Sequence, residues 1–215
     1  MARQANIENR LARADPALGR LIEAVMARIG PQRIAPSRVA PFEALVRAVI
    51  YQSISATAAE PIHRRLKQAV STPFTPSKVL ALRSQSLTKA GLSKAKAKTV
   101  RALAGWFAAN RTLAKKLPSL ADAEIVETLT SLPGIGPWTV NVFLIFNLGR
   151  LDVMPAADLG IRRGVQLIDG LRAVATPKQV LDRSQAWSPY RSIASIYLWQ
   201  ATKLKLRPSD LTRVR

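Results

Sequence analysis

Leu132-Pro133-Gly134-Ile135-Gly136-Pro137-Trp138-Thr139-Val140 is the stretch on which the reading of this chain turns. Two glycines one residue apart let the backbone reverse sharply and bring its amides close to a ligand without Cβ interference. Pro137 suits the first position of a helix, and the residues from Val140 to Leu148 are nearly all apolar, as in a helix buried on most sides. On the near side, Ile125, Val126 and Leu129 have helical spacing behind Asp122, a residue suited to an N-cap. The pattern predicts helix, hairpin, helix, with the second helix offering unpaired N–H groups and the positive end of its dipole to a phosphate. A plain helix–helix turn is also rich in Gly and Pro, so the stretch by itself leaves both readings standing. A dinucleotide fingerprint is excluded, because the third glycine and the preceding strand are missing.

Outward from the hairpin the helical signal continues. Phe42, Leu45, Val46, Val49 and Ile50 repeat at i, i+3, i+4, i+7 and i+8 behind Pro41. Behind Ser93, Val100, Leu103, Ala104 and Phe107 form one stripe, and Lys94, Lys96, Lys98 and Arg101 cover the remainder. Trp106 is assigned to the core. Pro61 falls inside an otherwise continuous helix from Ala56 to Val70 and is expected to kink or split it. Thr176-Pro177 and Ser188-Pro189 each read as cap then proline, opening two C-terminal helices, and Pro208 marks the end of the last one. Alternating β patterns are missing. The chain is predicted to be all-α, with about ten helices.

At 215 residues, 48% of them hydrophobic, the chain buries a substantial core and is not disordered. No apolar run approaches the ~20 residues that cross a bilayer. The N-terminus, Met1 to Asn6, has no apolar stretch after its charge, so no export signal and an intracellular location are expected. The absence of cysteine removes disulfides, thiolate zinc sites and iron–sulfur clusters. No Ser-His-Asp set, Walker loop or zinc spacing occurs, and His63, beside Arg64 and Arg65, is expected on the surface without a role. Charge is the stronger signal. Lys and Arg outnumber Asp and Glu 33 to 13, a net +20. Between Glu60 and Asp122 there are 13 basic residues and no acidic one. A solvated face normally mixes both signs, so this distribution points to a polyanion, most commonly nucleic acid.

With these features together, Leu129 to Val140 resembles the helix-hairpin-helix of the base-excision DNA glycosylase superfamily. In that superfamily a catalytic aspartate follows the second helix, and Met154-Pro155-Ala156-Ala157-Asp158-Leu159-Gly160-Ile161 has the expected Pro…Asp-Leu-Gly form. Tyr51-Gln52-Ser53-Ile54-Ser55, Gly91-Leu92-Ser93-Lys94-Ala95-Lys96 and Trp187-Ser188-Pro189-Tyr190-Arg191, followed by Trp199, are similar to the 3-methyladenine glycosylase II branch. The resemblance implies two helical subdomains flanking a DNA-binding cleft. Residues 41–152 form the central one with the hairpin, and 1–40 plus 153–215 form the other. The N-terminal β-domain of some relatives is not expected, since the chain begins close to its first matched helix.

The same resemblance implies roles. Asp158 is the catalytic carboxylate, although an aspartate ahead of Leu159, Ile161, Val165 and Ile168 also reads as a helix N-cap. Trp138 and Trp199, with Tyr51 and Val142, line a pocket for a flipped cationic base, since an indole face favours a cation. Val142 replaces a tyrosine of the nearest relatives, which implies a roomier pocket, and Ala157 stands where some relatives carry a further acid. Ser53 occupies the wedge position but is a poor wedge. Ile54 or Gln52 takes that part, or flipping relies on the base being damaged. Gly134, Gly136, Thr139, Lys94 and Lys96 are expected against the DNA backbone. The carbonyls of Thr130, Leu132 and Ile135 are implied ligands of a structural monovalent cation, and no other cofactor is required. The implied activity is monofunctional removal of alkylated bases from duplex DNA by a monomer, in the nucleoid of a bacterial cytoplasm or in a nucleus. Two alternatives stay open: a relative acting on hypoxanthine or exocyclic adducts, and a hairpin module that only binds damaged DNA. Asp158 argues against the second, because a binder gains nothing from an acid facing phosphates. A basic nucleoid or ribosomal protein would not need Trp138 together with Asp158.

Overall fold

The structure is a computed structural model that describes residues 2–211; Met1, at the head of the N-terminal stretch read above, and residues 212–215 lie outside it. The described residues contain thirteen α-helices and no strand. Two compact units share the chain, one from Met1–Ala35 with Gly149–Arg215 and one from Pro36–Leu148. None of the described helices is long and apolar enough to cross a membrane.

The discontinuous unit opens with α1 (Ala2–Ala14) and α2 (Pro16–Ile29). The chain then builds the other unit: α3 (Pro41–Tyr51), α4 (Ala56–Val70), α5 (Pro76–Ala81), α6 (Ser84–Lys89), α7 (Lys94–Ala109), α8 (Arg111–Lys116), α9 (Asp122–Thr130) and α10 (Pro137–Phe146). It returns with α11 (Leu159–Asp169), α12 (Pro177–Ser184) and α13 (Arg191–Lys203). The helices beyond ten include α5, α6 and α8, each six residues long and too short to show a periodic stripe.

In the continuous unit α3 is central, packed against α4, α7 and α10. Its stripe of Phe42, Leu45, Val46, Val49 and Ile50 is buried, and the Phe42 ring lies 5.7 Å from Phe74 and 5.4 Å from Phe107. Ser93 caps α7 by accepting the Lys96 amide proton, as its position implies. Trp106, assigned to the core from spacing, is only half-buried, edge-on to Phe107. Helix α4 runs unbroken through Pro61, because Ala59, His63, Leu66 and Val70 form a buried stripe that outweighs one missing amide bond. His63 is therefore interior, not surface. Burial and the nearby Arg47 hold its imidazole below the ordinary histidine range, and its Nε2 has no hydrogen-bond partner among the described residues. Asp122 is the first residue of α9 and not its cap; Ala121 stands there, and its amide donates to the Glu124 carboxylate at 2.9 Å.

In the discontinuous unit α11 packs on α13 and α2 around Leu18, Leu21, Val25, Ile161, Val165, Trp187, Tyr197 and Leu198. Thr176 caps α12, with Pro177 in the first turn. Ser188 caps nothing: α13 starts at Arg191, and the Ser188 hydroxyl donates to Asp152 at 3.0 Å. The last helix ends at Lys203, ahead of Pro208, which opens a 3-10 turn. Trp187 is fully buried and structural. Its indole N–H donates to Asp15 at 2.7 Å, and Asp15 also accepts the amides of Ala17 and Leu18 and the Arg183 guanidinium.

Asp15 is 2% exposed, so Asp15→Ala strands the buried Trp187 indole N–H and leaves the Arg183 guanidinium with Asp169 alone. The expected loss is about 3–5 kcal/mol of stability in chemical denaturation; a change under about 1 kcal/mol would show that the network contributes little.

Candidate active site and nucleic-acid interface

The hairpin follows from its two glycines. Helix α9 ends at Thr130 and α10 starts at Pro137, with Gly136 at the cap position. Gly134 has φ +79°, and a Cβ there would stand 2.0 Å from Thr99 Oγ1 of α7. Only glycine satisfies both the left-handed backbone and that contact. The Ile135 amide turns back to the Leu132 carbonyl at 3.2 Å. The amides of Gly134 and Gly136 donate to nothing among the described residues, and Gly134 is exposed. Two free donors ahead of a ten-residue helix make an anion site suited to a phosphate.

Behind the hairpin lies a tie that sequence reading missed. Gln52 Nε2 donates to the Gly134 carbonyl at 3.0 Å and to Thr139 Oγ1 at 2.7 Å. Lys96 Nζ donates to the carbonyls of Ile50 and Gln52 at 2.7 and 2.8 Å. Burial lowers the pKa of that ammonium. Gln52 is thus held at its carbonyl and its side chain, fastening the α3–α4 turn to the hairpin. Two residues expected at the DNA backbone are turned inward by this arrangement. Thr139 is 1% exposed, and Lys96 spends two donors on carbonyls. Lys94 stays exposed. Of the three wedge candidates, Gln52 is held inside the tie, while Ser53 (φ +56°) and Ile54 are exposed at the turn.

Trp138 and Val142 are half-buried, one helical turn apart on α10. Tyr51 closes α3 with the Arg47 guanidinium 5.0 Å over its ring and its hydroxyl donating to Glu60. Burial and the Glu60 carboxylate raise its phenol pKa.

In the other unit, Asp158 does cap α11: its Oδ1 accepts the Ile161 amide at 3.0 Å. The same oxygen accepts the Trp199 indole N–H from α13 at 2.8 Å. Asp158 and Trp199 are both half-buried. Gly160 permits the pairing, because a Cβ at that position would meet Trp199 Cδ1 at 2.9 Å and Asp158 Oδ1 at 3.0 Å. Thr202, one turn on from Trp199, donates its hydroxyl to the Gly160 carbonyl at 3.0 Å. The glycine of Asp-Leu-Gly was visible in sequence, but its partners on α13 were not. Among the described residues no group of three His, Asp or Glu side chains suits a metal ion.

Described residues that are helical without a strand, an exposed glycine hairpin ahead of a helix and a half-buried carboxylate at another helix start fit the class of helix-hairpin-helix proteins. The family profile described as "HhH-GPD superfamily base excision DNA repair protein" matches residues 46–189. DNA-3-methyladenine glycosylase 1 of Schizosaccharomyces pombe is 34% identical over 172 residues, 76% of this chain and 73% of that one. The S. pombe 3-methyladenine DNA glycosylase solved in complex with abasic DNA superposes with a TM-score of 0.84 at 32% identity, covering 97% of this chain and all of that one. A DNA-3-methyladenine glycosidase from Bacillus halodurans superposes with a TM-score of 0.75 at 30% identity, over 93% of this chain and 91% of the other. This chain belongs to the HhH-GPD superfamily of base excision DNA repair proteins.

Gly134→Ala combines a left-handed alanine with an overlap on Thr99. It is expected to lower stability by about 2 kcal/mol or more and to weaken duplex binding. Adding Thr99→Ala should recover part of the loss, since it removes the overlap and leaves the φ cost. Equal stability of Gly134→Ala and the parent in urea would refute this account.

Proposed function

We infer that this protein is a DNA glycosylase that hydrolyses the N-glycosidic bond of alkylated bases, of the 3-methyladenine and 7-methylguanine kind, in duplex DNA. The observation that carries the reading is Asp158: a half-exposed carboxylate, oriented by two donors, in a chain of net +20. Cleavage puts positive charge on the sugar as the base leaves, and a fixed carboxylate stabilises that charge or orients the water that attacks C1′. Methylation at N3 or N7 has already made the purine a cation, so its departure needs no strong acid. The faces of Trp138 and Trp199 suit such a base by cation–π attraction. The hairpin amides and the surplus of basic residues hold the phosphates. The enzyme works where the chromosome is, in a bacterial nucleoid or a nucleus.

The carbonyls of Thr130, Leu132 and Ile135 fit a monovalent cation. They are neutral oxygen donors at or just beyond the C-terminal, electronegative end of α9, the chemistry a hard, singly charged ion requires. When bound, such an ion would brace the hairpin, and no chemical step passes through it.

Asp158→Asn is the direct test. Asparagine also caps helices, so the fold should hold. Release of methylated bases should fall by roughly 10²–10³ or more, with duplex affinity unchanged or slightly tighter. Near-parental turnover would remove Asp158 from the mechanism.

Strand scission is a separate question, decided by nucleophiles. Lyases of this superfamily place a lysine where this chain has Trp138, and an indole nitrogen is a donor without an available lone pair. The product should be an intact strand with an abasic site. Borohydride added during turnover should trap nothing; a covalent protein–DNA adduct, lost on mutating one lysine, would overturn this.

A further inference from the structure

We propose that Trp199 acts in the reaction through its indole N–H, as the positioning residue for Asp158, and not only as an aromatic wall. The proposal rests on Asp158 being the catalytic carboxylate. An aromatic wall needs a ring face and is indifferent to where the ring's nitrogen lies. Here the nitrogen is placed: Nε1 donates to Asp158 Oδ1 at 2.8 Å. The Ile161 amide reaches that same oxygen at 3.0 Å. Two donors on one oxygen, one from α13 and one from the first turn of α11, stop rotation about Cβ–Cγ. The second oxygen then has one place to be, which is what a reacting carboxylate needs.

The surroundings are built for this approach. Gly160 leaves the space that a methyl would fill against both Trp199 Cδ1, at 2.9 Å, and Asp158 Oδ1, at 3.0 Å. Thr202 fixes the Gly160 carbonyl at 3.0 Å, tying the start of α11 to the turn of α13 that carries Trp199. Residues Ser192 to Leu198 of α13 are buried, so the helix presenting the indole is anchored in the core.

The test separates the N–H from the ring. Trp199→Phe keeps an aromatic face and removes the donor; Gly160→Ala keeps both side chains and drives them apart. Each is measured for single-turnover release of 3-methyladenine with enzyme in excess, for affinity to a duplex holding a tetrahydrofuran abasic analogue, and for thermal unfolding. Each variant should lose roughly tenfold or more in rate, the value of a hydrogen bond to a charged group. Affinity for the analogue should change less than about threefold. Because both act on one contact, the double variant should be no slower than the slower single, within about twofold. Parental rate in Trp199→Phe, multiplying losses in the double variant, or rate and affinity falling together would each overturn the proposal. Should Trp199→Phe fail to fold, Gly160→Ala carries the test: a parental rate in that variant overturns the proposal. Inactive Asp158→Asn beside fully active Trp199→Phe would sink this inference alone, whereas active Asp158→Asn would sink the reading beneath it.

Discussion

Thirty-three lysines and arginines share thirteen carboxylates, and that shortage shapes how the chain is fastened together. Where acids exist they serve as staples. Asp152 binds Arg191 through both oxygens at 2.7 and 2.8 Å, and the guanidinium holds its carboxyl below the usual range. Asp15 takes Arg183, and Asp210 takes Arg28. In the acid-free interval Lys67 reaches Glu43 on α3, and four other cations turn to a different negative partner, the carbonyls at helix ends. Lys96 caps the end of α3, Arg101 reaches the Leu80 and Leu82 carbonyls at the end of α5, Arg65 takes Ala90 after α6, and Lys78 takes Thr72 just past α4. The partial negative charge of a helix C-terminus stands in for missing carboxylates.

The same economy decides which cations stay exposed. A cation spent on a helix end is held inside and is poorly placed for a phosphate, which is the fate of Lys96. Lys94 and Lys98, on the same helix, remain exposed. At the hairpin the positive potential comes from backbone amides, which need no counter-charge and lose no side-chain entropy on binding. A helical hairpin fixed by Gly134 over Thr99, and by Gln52 from behind, therefore adds a rigid anion site to a diffuse basic surface. On the proposed reading, the first sets register on a DNA strand and the second supplies attraction at range.

Much of this was legible in residue order. Proline at the helix starts, the stripe of α3, the Ser93 and Thr176 caps and the hairpin all rest on local rules, and local rules need only neighbours in sequence. What escaped was long-range or depended on a short element. His63 looked like a surface residue because its neighbours are arginines, yet the helical period, set by Ala59, Leu66 and Val70, turns it inward. Trp106 looked like core from its helical spacing, but α7 already spends its buried face on Val100, Leu103 and Phe107. The Ser188-Pro189 pair imitated a helix start; the hydroxyl serves Asp152, 36 residues away in the chain. At the site, Asp158 and the glycines were visible as residues, whereas the partners of Gln52 and Trp199 come from segments 82 and 41 residues distant.

The donors that orient Asp158 bear on chemistry. Asp15 and Asp152 meet guanidinium groups directly, and a full positive charge in contact cancels most of what a carboxylate can offer to a third party. The two donors on Asp158 Oδ1, an indole N–H and a backbone N–H, are neutral dipoles. They fix its orientation. A transition state whose sugar turns cationic is stabilised by an oriented carboxylate. The leaving base sharpens the point. An unmodified purine leaves as an anion unless protonated, so its removal calls for an acid as well as a charge stabiliser. A purine methylated at N3 or N7 leaves neutral. On the reading proposed above, one oriented carboxylate is then sufficient, and the two donors on Asp158 Oδ1 suit a substrate that brings its own positive charge.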